Sequence, residues 1–141
     1  MTHNDSNSPS LADVAERYVK LVLAMGQHDA SYVDAYYGPP AWQQQAVEQP
    51  QGLSEIQDGA HEALALLADD ASLRALNLRK QLQAVLAKAD MLQGARLDFD
   101  TESARLYDAV SPHHSRAWYE ALVAEIDALL PGEGTVSDRV N

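Results

Sequence analysis

Apolar residues recur along most of this chain at spacings of three and four, the period of helices seated on a core. Leu11, Val14, Tyr18, Leu21 and Met25 follow that rhythm. Ser10 and Asp13 read as a capping box in front of them, so a helix is predicted from there to about Gln27. Asp29 can cap a short helix over 30–37, with Gly38 at its end and Pro39 forbidding continuation. Pro40 suits the first turn of another short helix that ends before Pro50. Ser54 with Gln57 opens a helix over 54–69, whose Ile56, Ala60, Leu64 and Leu67 share a face. The longest pattern covers 72–93. There Ala71, Ala75, Leu78, Leu82, Val85, Ala89 and Leu92 keep the seam of an antiparallel bundle helix, and Gly94 fits the position after its end.

Asp100 or Thr101 can cap a helix through about Ala109, with Phe99 as its hydrophobic staple. After Ser111-Pro112, a helix over 114–130 carries Tyr119, Leu122, Ile126 and Leu129 as its core stripe. Thr135-Val136-Ser137-Asp138 is one more capping box, close to the last residue, Asn141. The expectation is a helix cut short, with a frayed tail as the alternative. No period-two alternation or fixed-period repeat is found. The pattern predicts an all-α fold, an irregular antiparallel bundle of about five to seven helices. Residues 1–9 are expected to be a flexible tail, 10–131 the helical domain, and 132–141 a truncated or frayed end.

Composition narrows the role more than the fold. A length of 141 residues suits one domain with a sizeable core. Ten basic against twenty-one acidic residues give a net charge of −11. The phosphate backbone of nucleic acid and the surface of anionic membranes would be repelled, and no basic stripe offsets this. There is no cysteine, hence no disulfide, thiolate metal site or cysteine nucleophile. The polar start lacks the apolar segment of a signal peptide, and no apolar run approaches the ~20 residues of a membrane span. A cytoplasmic location is expected.

Each candidate for chemistry fails on spacing. His61-Glu62 opens like a zinc-peptidase helix motif, but position 65 is alanine where the second histidine must stand. His113-His114 are adjacent, so on a helix they point apart. His28-Asp29 has no serine or cysteine placed to use it. Asp98 to Glu102 resembles the opening of a calcium loop, but Ser103 and Ala109 stand where the glycine and the bidentate glutamate belong. Gly132-Glu133-Gly134 lacks the third glycine and the preceding strand of a dinucleotide loop. No catalytic, cofactor-binding or metal-ligating residue is assigned. A small enzyme would have to draw its base from His28, His61 or His113, the groups able to act near neutral pH.

The least generic stretch is "SYVDAYYGPPAW", residues 31–42. Tyrosine and tryptophan suit ligand contacts, and they equally suit a corner between helices, with Tyr32, Val33 and Tyr36 on one buried face and Trp42 packed across the turn. The packed corner is favoured. Together with "LQGARLDFDTESARLY" and "IDALLPGEGTVSDRVN", this stretch resembles the amino-terminal region of a family of largely uncharacterised bacterial proteins of zinc-dependent peptidase type, akin to helical carboxypeptidases. The resemblance runs from about Tyr18 to Asn141. Members are longer, and their histidine-glutamate zinc motif lies in a part not present here. It therefore implies a non-catalytic amino-terminal helical domain. The implied partner is the missing carboxy-terminal domain, or a second copy through exposed apolar helix faces. A stand-alone acidic interaction module is the alternative.

Overall fold

The computed structural model describes residues 9–140; residues 1–8 of the tail expected over 1–9, and Asn141 of the end expected over 132–141, lie outside this range. Among the described residues there are seven helices and no strand: α1 (Leu11–Met25), α2 (Pro40–Glu48), α3 (Leu53–Leu66), α4 (Leu73–Leu92), α5 (Phe99–Tyr107), α6 (Arg116–Leu129) and α7 (Val136–Val140). The protein is all-α, as the apolar period predicts. The described chain groups into two units, 9–110 with α1 to α5 and 111–140 with α6 and α7.

Helix starts follow local chemistry. At α1 the Asp13 amide donates to Ser10 Oγ at 3.2 Å, and the Ser10 amide donates to Asp13 Oδ2 at 2.8 Å. The same exchange joins Thr135 and Asp138 at α7. Ser72 Oγ accepts from the Ala75 amide at the head of α4. At its far end the Gly94 amide donates to the Met91 carbonyl and the Ala95 amide to that of Asp90. That six-to-one and five-to-two pair needs a left-handed residue at Gly94, which has φ 101°.

Three starts differ from expectation. α3 begins at Gly52, whose amide donates to Glu55 Oε2 at 2.6 Å, rather than at Ser54 with Gln57. α5 is capped by Asp98, so Phe99 falls inside the helix and is 70% exposed, too far out to act as a staple. The helix expected over 30–37 is absent. Asp29 spends its capping capacity on a tight turn, accepting from the Ser31 amide at 2.9 Å and the Ser31 hydroxyl at 2.6 Å. Pro39 also disfavours helical geometry in the residue just before it.

α1, α3 and α4 form the core of the first unit. His28, after α1, meets Gln51, before α3, while Arg17 meets Glu62 further along, so these two helices run antiparallel. Gln57 bonds Asp90 and Arg79 bonds the Leu67 carbonyl, which makes α3 and α4 antiparallel too. Val14, Leu21 and Met25 from α1, Ile56, Ala60 and Ala63 from α3, and Ala75, Leu78, Leu82, Val85 and Ala89 from α4 make one buried cluster with Leu67. No polar or charged side chain among the described residues is buried. Each large member contributes roughly 1.5–3 kcal/mol through apolar burial. The ends of the predicted α4 seam, Ala71 and Leu92, stay outside it.

The second unit departs furthest from expectation. Tyr119, Leu122, Ile126 and Leu129, expected as a core stripe, are 48%, 39%, 41% and 82% exposed, and α6 has no buried residue. Periodicity shows that a helix has an apolar face, not that anything covers it. The helix is held at its end instead: the Arg139 guanidinium donates to the Asp127 and Leu130 carbonyls and pairs with the Asp127 carboxylate. Two truncations should separate the units. Leu82→Ala is expected to cost about 2–5 kcal/mol in urea unfolding, and Leu129→Ala less than about 0.5 kcal/mol.

Candidate functional site

The distinctive segment is a packed corner. Tyr32 is half-buried against the core, and burial, with nearby Tyr18 adding to it, pushes its phenol up to about 12. Asp29 receives the Lys88 ammonium at 2.6 Å. That bond, with those from Ser31, holds its carboxyl down at about 2. Lys88 also lies 5.9 Å from the Tyr32 ring centre, so one lysine ties α4 to both residues. The Tyr36 hydroxyl donates to the Pro39 carbonyl at 3.1 Å, and its ring folds over Gly38, where a Cβ would collide with it. Gly38 therefore serves close approach rather than a left-handed helix end. Trp42 lies beneath the Lys20 ammonium at 5.4 Å, and Tyr37 is 96% exposed.

Within the first unit, His28 and His61 lie apart. His28 Nε2 sits 2.6 Å from the Gln51 carbonyl, where its ring N–H is the donor. His61 lies on the exposed face of α3, eight residues and so about 12 Å beyond the first residue of that helix, Leu53, at 1.5 Å per residue. Its neighbour Glu62 is held by Arg17 at 3.0 Å. His114 stacks on Trp118 with ring centres 3.8 Å apart, and Tyr119 meets both edge-on. Asp98, first of the calcium-like run, accepts from the Thr101 hydroxyl and amide, which hold its carboxyl below the ordinary range. Among the described residues no group of three metal-binding side chains comes together.

The clefts of the first unit include one of about 320 Å³ at Gln83, Leu86 and Arg105, and two larger ones. One, of about 430 Å³ between α1 and α3, is floored by Leu21 and Gly59. Its charges are already engaged: Arg17 with Glu62, Lys20 with Glu16, Asp13 with Ser10, and Glu55 with Gly52. The other, of about 360 Å³, lies among Tyr18, Tyr32, Tyr107, Lys80 and Asp108, where Lys80 and Asp108 pair at 2.6 Å. Neither offers an unpaired base beside a nucleophile. Within the second unit, the apolar stripe of α6 is exposed, with Trp118 and Val123 beside it. The sequence contained that face, but a core and a docking surface share one apolar period.

No family model, curated protein or solved structure matches the chain. No helix among the described residues is long and apolar enough to cross a membrane.

Two pH responses follow from the corner. The Asp29 carboxyl sits below its ordinary 3.8, so its contribution to stability is present above that pH and is lost as pH falls toward about 2. Asp29→Asn should flatten the loss of urea midpoint across this acid window. The Tyr32 phenol sits above its ordinary 10.0, so its contribution is present below that pH and is lost as pH rises toward about 12. Phenolate absorbance should show a late ionisation that is reduced in Tyr32→Phe, the part that remains coming from Tyr18, whose phenol is also raised by burial.

Proposed function

We propose that this chain is the non-catalytic, amino-terminal helical domain of a bacterial protein of zinc-dependent peptidase type. The carrying observation is that the segment bearing the resemblance is spent on packing: Tyr32, Tyr36 and Gly38 build a corner, and Lys88 ties it to α4. Such a domain would wall a substrate cleft whose chemistry lies elsewhere in the polypeptide. The separate engagement of His28, Glu62 and Asp98 within the fold fits a scaffold better than a catalyst. A cysteine-free, acidic chain suits the reducing cytoplasm.

A second reading, a stand-alone acidic interaction module, is favoured by the exposed apolar face of α6. The intact mass and zinc content of the protein isolated from its source discriminate between them. A mass well above 15.4 kDa with stoichiometric zinc is expected for the first reading. A metal-free protein of 15.4 kDa overturns it and leaves the second.

A further inference from the structure

We propose that the cleft among Tyr18, Tyr32 and Tyr107 binds a neutral sugar ring, through hydrogen bonds to its hydroxyls and contact of its C–H faces with tyrosine rings. The cleft holds about 360 Å³, at the small end of the roughly 300–1,000 Å³ typical of ligand sites. Every residue that lines it belongs to the first unit. Three of the chain's six tyrosines line it, one from α1, one from the corner and one from α5. No helical period joins positions 18, 32 and 107; the packing of α1 and α5 against α4 brings them to one place. Val22, Ala84 and Leu106 supply apolar surface.

The polar groups select the ligand. Tyr18 and Tyr32 are half-buried, burial raises both phenols, and neither hydroxyl bonds to another group among the described residues. Tyrosine hydroxyls taken from water ordinarily find a partner. Lys80 spends one of its three donors on Asp108 Oδ1, at 2.6 Å, and Gln81 donates to Asn77, which leaves its own carbonyl oxygen. Asp108 ends α5 with φ 55°, the one left-handed residue other than glycine among those described, a backbone state that recurs at ligand sites. The charges of Lys80 and Asp108 cancel, so the cleft has no net field with which to favour an ion. A purely aromatic ligand would strip water from these groups and leave them unpaired. Each sugar hydroxyl both donates and accepts, so one ring answers phenols, ammonium, carboxylate and amide together. A sugar site of this kind depends on neither the peptidase reading nor the interaction module.

The test follows amide NMR shifts of the isotope-labelled full chain during titration. The probes are glucose, galactose, mannose and N-acetylglucosamine, with maltose and cellobiose as glycan ends, and p-cresol and glucuronate as aromatic and anionic controls. At least one neutral sugar is expected to give saturable shifts, with millimolar affinity, at Tyr18, Tyr32, Lys80, Gln81 and Asp108. A disaccharide binding tighter than its monosaccharide marks a glycan end as the source, and equal binding marks the free sugar. Asp108→Gly keeps the left-handed backbone and removes the carboxylate, and should weaken binding at least about tenfold. Tyr107→Ala, outside the core, should weaken it to a similar degree, and Tyr32→Phe several-fold. Helicity should be unchanged in all three. The absence of shifts with every neutral sugar overturns the proposal, as do shifts confined to other residues. Tighter binding of p-cresol or glucuronate than of any neutral sugar overturns it too, and so does unchanged affinity in folded Asp108→Gly or Tyr107→Ala.

Discussion

The apolar seam of α4 is what the first unit depends on. Leu82 and Val85 are fully buried among residues of α1 and α3, while α5 lies along another side of the same helix. Because no polar side chain is buried there, the centre is held by apolar burial and close packing. Polar interactions are pushed to the margins of α4. Arg79 donates to the Leu67 and Asp70 carbonyls and closes the turn before the helix. Near its other end, Asp90 accepts from Gln57 and Arg105 and joins α3 to α5. The centre gives the unit its stability, and these edges set its helix directions.

The parts legible in the sequence were those decided by neighbours three or four residues apart. Ser10 with Asp13, Thr135 with Asp138 and Gly94 each specify a helix end through bonds their own segment can make. The α4 seam was legible because it is long and its period does not waver. The Ser31 to Tyr37 stretch was not. Asp29 caps a turn as readily as a helix, and the local residues do not tell the two apart. The α6 face misled for a different reason: its pattern is that of a buried helix, and burial depends on a surface the pattern does not encode.

The candidate motifs for chemistry were judged on spacing alone. Sequence spacing had already removed the zinc, calcium and dinucleotide motifs. The structure adds a reason the polar residues are occupied: they hold helix ends and helix pairs together. In two clefts of the first unit the lining charges pair with one another, Arg17 with Glu62 and Lys80 with Asp108. In the second unit, Trp118 and Tyr119 of α6 pack with His114 as a small ring cluster, on a helix whose last carbonyls are fixed by Arg139.

Lys88 gives the corner a vulnerability of another kind. Its single ammonium is the ion-pair partner of Asp29 and the cation facing Tyr32. Acetylation would remove that charge and both attractions in one covalent event, leaving the Asp29 carboxylate without its counter-ion. The segment from Ser31 to Trp42 would then be joined to α4 by apolar contact alone. One enzymatic mark on a surface lysine would thus reach the most distinctive stretch of the chain without altering a residue in it.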